Sequence, residues 1–313
     1  MIPSMAITET YLTNPEWFPG PGEGTHAGNN DLFIDFVGGP YHVKGLNERQ
    51  VEQLGKHFDG VCSTSPKSTG EMVNIDVYEV PSSHFHLPDP PPMYREFDLD
   101  PRQSEFRVAG ENMYALIDLS GNISGHLWTV KEEQCFHSNT FENFFRMLVT
   151  YRLQESGGCL LHSAGIVSRD EAYLFPGRSN DGKSTLSRLS LEEDRIVLSD
   201  DMNAITWLDG QPYVEKVPFT GDLKRSWTRS ASYPLKALFA IRKSAKTSVE
   251  DLSPSKALTL LTACSPYLNA DPHRMSQLLE NHYQLTRKIP ANILNFSLSG
   301  DIWEVIEASM SLR

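Results

Sequence analysis

A glycine-rich segment in the second half of the chain has the residue types and spacing of a phosphate-binding loop. Residues 177–185 match the pattern G-x-x-x-x-G-K-[ST]. The glycines let the backbone turn so that successive N–H groups face one anion, and a helix that begins near the lysine directs its positive end at the phosphates. The sequence therefore predicts an ATP site formed by Gly177, Arg178, Ser179, Asn180, Asp181, Gly182, Lys183, Ser184 and Thr185.

Four side chains have distinct chemical roles in this prediction. Lys183 neutralises the β- and γ-phosphate oxygens, and the hydroxyl of Ser184 is placed to bind Mg²⁺. Asp200 and Asp201 follow the apolar run 195–199, and an acid at a strand end coordinates the metal in enzymes with this loop. Neighbouring side chains point in different directions, so one acid can face Mg²⁺ while the other faces an acceptor hydroxyl. The alternative interpretation is an acidic turn before a new strand.

Histidines supply two further candidates. His162 lies in the apolar run 159–167, where it is either a core residue or part of the site. His84 and His86 form an H-x-H pair in a proline-rich stretch, which is either a metal site or a solvated loop. No third ligand lies near them in the sequence, and this favours the loop.

The elements around the glycine-rich segment predict an α/β core, because strands alternate with helices. A helix is expected to begin near Lys183, with further helices at 254–264, 273–288 and 301–310, and strands at 159–167, 171–175, 195–201, 203–208, 212–217, 235–243 and 292–298. We expect this catalytic domain to cover residues 135–313.

The first half of the chain predicts a β-rich α+β domain over residues 31–134 that recognises a substrate or mediates assembly. Residues 1–30 are rich in Gly, Pro, Thr and Asn and predict a flexible arm, and residues 81–101, with six prolines, predict a connector or lid. Strands are expected at 32–38, 72–80, 105–110, 113–120 and 123–130, and helices at 49–58 and 140–158, the second with Thr140 as N-cap and a glycine stop.

Composition excludes several classes of protein. The formal net charge is -12, which disfavours binding to nucleic acid or anionic membranes, since both need clustered Lys and Arg. No apolar run is long enough to span a bilayer, and the N-terminus lacks the features of a secretory signal. The four cysteines are scattered and predict free thiols. We therefore expect a cytoplasmic protein.

Three segments together resemble a known family. "LLHSAGIV", "YLFPGRSNDGKSTLSRL" and "IVLSDDMNAI" are similar to the catalytic domain of the HPr kinase/phosphorylase family, over residues 158–208. The resemblance implies an α/β P-loop kinase core, with a nucleotide core shared with phosphoenolpyruvate carboxykinase. It also implies that Asp200 takes the proton from an acceptor serine, that Asp201 is a metal ligand, and that His162 lies near the transferred phosphoryl group. The family assembles through its kinase domains, which implies a homo-oligomer.

The chain departs from that family at two points. Arg178-Ser179-Asn180 stands where the family usually has Asp-Ser-Gly, and the family's signature stretch with a Glu after the aspartates is not recognisable. Glu215 or Asp222 can stand in for that Glu, and Asp222 is our predicted additional metal ligand.

The predicted function is that of an ATP- and Mg²⁺-dependent kinase that phosphorylates a hydroxyl, with serine favoured, of a peptide, small protein or small metabolite. The first alternative is a P-loop ATPase or nucleotide-dependent switch with no acceptor. The second is a nucleotide-binding regulator that has lost catalysis, which the intact set of Lys183, Ser184, Asp200 and Asp201 disfavours.

Overall fold

The chain folds as a mixed α/β protein with two large sheets and divides into two compact units, Met1–Arg152 and Leu153–Arg313. The computed structural model describes residues 18–67, 70–85, 97–110, 113–131, 138–178, 180–193, 195–219, 221, 232–298 and 302–311. None of the helices in these ranges combines the length and apolar character needed to span a bilayer.

Unit 1 is built on an eight-stranded sheet. Its strands are β1 (Asn30–Ile34), β2 (Tyr41–Leu46), β3 (Cys62–Ser63), β4 (Val73–Val80), β5 (Asp98–Pro101), β6 (Glu105–Gly110), β7 (Met113–Asp118) and β8 (Ser124–Val130), and its helices are α1 (Glu48–His57) and most of α2 (Ser138–Glu155). The strand order is β3-β1-β2-β4-β8-β7-β6-β5. The central pairs β2–β4 and β4–β8 are parallel, while β5 to β8 form an antiparallel meander.

Local sequence and aromatic packing explain the helices of unit 1. Asn47 and Gln50 form a reciprocal capping box that fixes the start of α1. The ring of Phe145 on α2 packs against Tyr41 on β2 and against Phe58, which follows α1, with ring centroids 4.8 and 5.6 Å apart. All three rings are fully buried, so they tie α2 and the end of α1 to the sheet.

Two segments of unit 1 differ from the sequence predictions. Residues 1–17 of the expected arm lie outside the described residues, but residues 18–30 are bound to the sheet: Trp128 Nε1 donates to the Glu23 carbonyl at 2.8 Å, and Thr25 pairs with Glu79. In the proline-rich stretch, Ser82–His84 forms a 3₁₀ turn and β5 pairs with β6. The rest of the expected lid, residues 86–96 with His86, lies outside the described residues.

Unit 2 contains a strand ring that its sequence pattern did not predict. Its elements are β9 (Cys159–Ser168), β10 (Glu171–Pro176), α3 (Lys183–Glu192), β11 (Ile196–Ser199), β12 (Met202–Leu208), β13 (Gln211–Glu215), β14 (Ser232–Lys243), β15 (Ser248–Asp251), α4 (Pro254–Ala263), α5 (Met275–Lys288), β16 (Ala291–Phe296) and α6 (Ile302–Ser311). The path β10-β9-β12-β13-β14 closes because β14 also pairs with β10. Beyond the ring, β16 lies parallel to β14, and β15 lies at the edge.

The strands of unit 2 read as continuous apolar runs because both of their faces are buried. On β10, Tyr173 and Phe175 pack in one apolar cluster with side chains from α3 and α6, whereas Ala172 and Leu174 pack in a second cluster with side chains from α4 and α5. This alternation follows from the two-residue period of a strand. It anchors β10 rigidly on both sides, directly before the glycine-rich loop.

The division between the units lies later in the chain than the expected boundary near residue 135. It falls between Arg152 and Leu153, inside α2. This helix also contains Thr140, which is therefore not an N-cap. The predicted glycine stop agrees with the structure, since Gly157 has a φ of 78° just beyond the helix end.

Candidate functional site

The loop 177–182 joins the end of β10 to the start of α3. Gly182 has a φ of 108°, in the left-handed region that favours glycine, and its carbonyl accepts the first helical bond from Leu186 N at 2.9 Å. At the other end, a Cβ on Gly177 would lie 2.9 Å from Asp181 Oδ2, and that oxygen accepts a hydrogen bond from Arg178 N. The two glycines thus permit a tight loop, which the hydrogen bond between Arg178 N and the Asp181 carboxylate closes.

Lys183 is the buried cation of this loop. Its side chain is only 6% exposed, and its ammonium donates to the carbonyls of Gly177 and Arg178, both at 2.9 Å. Burial lowers the pKa of Lys183, while the nearby Asp181, Cys264, Asp201 and Asp200 act in the opposite direction. The loop therefore encircles a positive charge at the first residue of α3, where the helix dipole adds to the positive potential.

The acidic pair lies in the turn between β11 and β12. Ser199 Oγ accepts hydrogen bonds from the backbone N–H groups of Asp201 and Met202, both at 3.1 Å, and this stabilises the reversal of the chain. Asp200 is 5% exposed, whereas Asp201 is half-buried. A Cβ on Gly221 would lie 2.4 Å from Asp200 Oδ1, so the backbone at Gly221 packs directly on that carboxylate.

His162 contacts the more accessible acid of the pair. Residues 162 and 202 face each other across β9 and β12, and Ser163 N donates to the Asp201 carbonyl at 2.9 Å. As a result, His162 Nε2 lies 3.4 Å from Asp201 Oδ1. Sequence reasoning left His162 as either a core residue or a site residue, and the structure places it half-buried beside the acid pair.

These groups share one cleft with a cavity volume of about 960 Å³. It is lined by His162, Asn180, Gly182, Lys183, Ser184, Thr185, Arg188, Asp200, Asp201, Gly221, Lys243, Ser244, Phe296 and Leu298. Because β10, β14 and β16 run parallel, their carboxyl ends meet at the same edge of the sheet, beside the cleft.

One protein-family model matches this chain. The family described as "SynChlorMet cassette protein ScmC" matches residues 143–311, more than half of the 313 residues. The chain belongs to the ScmC family. The matched region covers the whole of the cleft and nearly all of unit 2, whereas most of unit 1 lies outside it. The family description names no reaction.

A solved structure shows a distant likeness to this ScmC-family chain. The Hpr(Ser) kinase/phosphatase from Coxiella burnetii is 10% identical to it, covers 49% of this chain and 95% of its own, and superposes with a TM-score of 0.27. The resemblance of the sequence to the HPr kinase family therefore stays a prediction. No curated protein matches the chain.

The structure brings most of the sequence-predicted residues of the ScmC-family chain into this cleft, but not all of them. Gly177, Arg178 and Asp181 lie in the same loop without lining the cavity, while Ser179 and Asp222 lie outside the described residues. Glu215 Oε1 accepts hydrogen bonds from the hydroxyls of Thr206 and Ser232 at 2.9 and 2.8 Å, and it does not line the cleft. Of the two acids considered as a substitute for the family's Glu, Asp222 follows the cleft residue Gly221 directly.

Six cleft residues escaped sequence reasoning: Arg188 on α3, Gly221, and four residues at strand ends. Lys243 and Ser244 lie at the end of β14, and Phe296 and Leu298 lie at the end of β16. No motif marks them, but they occupy the ends of two apolar strands that a parallel sheet places beside the loop. That rule is the signal that could have identified them.

The residues present fit a Mg²⁺ ion that also binds phosphate. The ion keeps several waters and takes only one or two protein carboxylates when a substrate phosphate supplies further oxygens, and Ser184 and Asp201 both line the cleft. Within the described ranges, no group of three or more His, Cys, Asp or Glu side chains could hold a metal alone.

Proposed function

We propose that unit 2 binds Mg·ATP in the cleft and transfers the γ-phosphoryl group to a hydroxyl of a peptide, small protein or small metabolite, with serine favoured. The observation that carries the proposal is the position of Lys183. It is a buried ammonium at the first turn of a helix, held by two loop carbonyls, and it lines the same cleft as a pair of acids. A cation, a helix N-terminus and loop N–H groups together form an anion site suited to a polyphosphate.

The binding roles follow from what each side chain can supply. On nucleotide binding, Lys183 exchanges its two carbonyl acceptors for β- and γ-phosphate oxygens, which carry more negative charge. Ser184 and Asp201 would hold Mg²⁺, which neutralises the phosphate charge when bound, and Asp222 is the further acid proposed for this purpose. His162 orients the Asp201 carboxylate through their 3.4 Å contact.

Asp200 is the proposed base. The acceptor oxygen forms a bond to the γ-phosphorus, the bond from that phosphorus to the β–γ bridging oxygen breaks, and ADP departs with the bond's electron pair. The proton of the acceptor hydroxyl passes to the Asp200 carboxylate. Gly221 holds this carboxylate in place from one side, which fits a group that must meet a hydroxyl in one geometry.

The test compares the two acids in the full-length protein. We expect γ-labelled ATP, incubated with the protein and an extract of its source cells, to label an acceptor. Asp200→Asn keeps the shape but cannot accept a proton, so labelling should fall by about 10²–10⁴-fold while Mg·ATP binding changes little. Asp201→Asn should weaken Mg²⁺ binding, and raised Mg²⁺ should partly restore its activity.

Asp209→Asn is the matched control, because Asp209 is exposed in the turn between β12 and β13 and adopts a positive φ that asparagine tolerates. It should behave as the unmodified protein does. Release of free phosphate at the same rate with and without extract, and no labelled acceptor, would identify an ATPase or switch instead. Full transfer by Asp200→Asn would exclude Asp200 as the base.

A further inference from the structure

One wall of the cleft combines apolar and polar groups that have no role in the phosphate site proposed above. It is formed by Lys243 and Ser244 after β14 and by Phe296 and Leu298 after β16. Leu298 is 74% exposed, more than any other large apolar side chain among the described residues. Leu298 and Phe296 give this side of the cleft an apolar surface beside polar groups, which is the usual character of a small-molecule pocket.

The order of the strands places this wall opposite the acidic pair. β10 carries the loop and pairs with β9 on one side. His162 lies on β9, and the two aspartates lie between β11 and β12, which both pair with β9, so all three residues lie on this side of the loop. On its other side β10 pairs with β14, and β16 follows. A triphosphate whose γ end lies at the aspartates therefore extends its other end across the loop toward β14 and β16.

The wall lies close to the loop and is internally braced. A Cβ added at Gly182 would be in ordinary contact with Ile241 and the Phe296 ring, at 3.8 and 3.9 Å, so about the width of a methyl group separates the loop from the strand ends. Ser244 N donates to the Phe296 carbonyl at 2.9 Å, which joins the ends of β14 and β16. Phe296 is buried, so it supports the exposed residues of the wall and keeps their positions fixed.

We propose that this wall is the nucleoside subsite of the cleft, a proposal that rests on the function proposed above and specifies the other end of the same ligand. The flat face of the base packs on Leu298, backed by Phe296, while Ser244 and Lys243 border the ribose and the adjacent phosphate. Leu298 contacts a face that adenine and guanine share, so its contribution does not depend on which purine is bound.

The experiment separates the nucleoside from the phosphates. The full-length protein is titrated calorimetrically, with Mg²⁺, against a non-hydrolysable ATP analogue, the corresponding GTP analogue and inorganic tripolyphosphate. Leu298→Ala should weaken both nucleotides by about 3- to 10-fold, as expected for removing part of an apolar contact, and leave tripolyphosphate unchanged. Leu208→Ala is the control, since Leu208 is also exposed in unit 2 but lies at the end of β12, away from the cleft lining.

Each other outcome overturns the inference in a different way. If Leu298→Ala binds ATP as tightly as the unmodified protein, the base lies elsewhere, although the phosphate site can still be correct. If Leu298→Ala weakens tripolyphosphate to the same degree, the wall contacts phosphates and is no nucleoside subsite. If the unmodified protein binds tripolyphosphate as tightly as ATP, it has no nucleoside subsite, and if it binds neither, the proposed function fails as well. Leu298 is exposed, so a thermal melt should show the variant folded.

Discussion

Replacing Lys183 with methionine tests the central claim about the cleft. Methionine keeps most of the buried aliphatic length but removes the ammonium that now bonds the carbonyls of Gly177 and Arg178 at 2.9 Å each. Truncating one member of a buried, charge-assisted pair costs about 2–4 kcal/mol of binding. This corresponds to a loss of roughly 30- to 1,000-fold in affinity for a non-hydrolysable ATP analogue with Mg²⁺.

The measurement is a calorimetric titration of Lys183→Met beside Lys256→Met. Lys256 is exposed on α4 in the same unit and does not line the cleft, so its variant should bind as the unmodified protein does. The folded state of both variants is checked by circular dichroism and thermal melting. If folded Lys183→Met binds the ATP analogue with unchanged affinity, the ammonium contributes nothing to nucleotide binding. The assignment of the loop to phosphate binding would then be refuted.

Two further predictions concern stability and geometry in unit 2. Burial lowers the pKa of His282 to about 4 from its ordinary 6.5, so between these pH values the unfolded chain binds a proton that the folded chain does not. The free energy of unfolding should therefore fall by about 2 kcal/mol from pH 7 to pH 5. Chemical denaturation of His282→Gln at the two pH values should show a smaller fall. Gly221→Ala should displace the Asp200 carboxylate and lower phosphoryl transfer by about 10²-fold, whereas Gly121→Ala, with open space around its Cβ position, should leave transfer unchanged. If the stability of His282→Gln falls with pH as steeply as that of the unmodified protein, the first expectation is wrong. Full phosphoryl transfer by Gly221→Ala would contradict the second.

Local patterns predicted the elements around the loop well. The expected strand at 171–175 and the helix that begins at Lys183 are both confirmed, because a continuous apolar run and the order of glycine and helix are properties of adjacent residues. The mixed α/β class with a β-rich first half is confirmed in the same way. The chemical roles of the loop and acid residues stay predictions, since they depend on ligands.

Features set by distant pairing could not be predicted in this way. Residues 18–30 have no periodicity, yet the bond from Trp128 to the Glu23 carbonyl joins positions more than one hundred residues apart. The strand β2 escaped prediction although its buried residues alternate in part. The division after Arg152 could not be predicted for a similar reason: α2 continues across it with no break in its sequence pattern, and only contacts between distant residues define the two units.

The same distinction applies within the cleft itself. The glycine-rich loop is a contiguous motif, so the sequence reveals one wall, and it also identifies the acids because they follow a recognisable strand. The opposite wall exists only because β14 pairs with β10 on one edge and β16 on the other, which brings residues 243–244 and 296–298 to a loop some sixty or more positions earlier. A contiguous motif can therefore identify the residues proposed to bind the phosphates. The residues proposed to bind the nucleoside lie at strand ends, and their position depends on the order of strands in the sheet. Measuring ATP against tripolyphosphate separates these two contributions, since only the nucleoside distinguishes the two ligands.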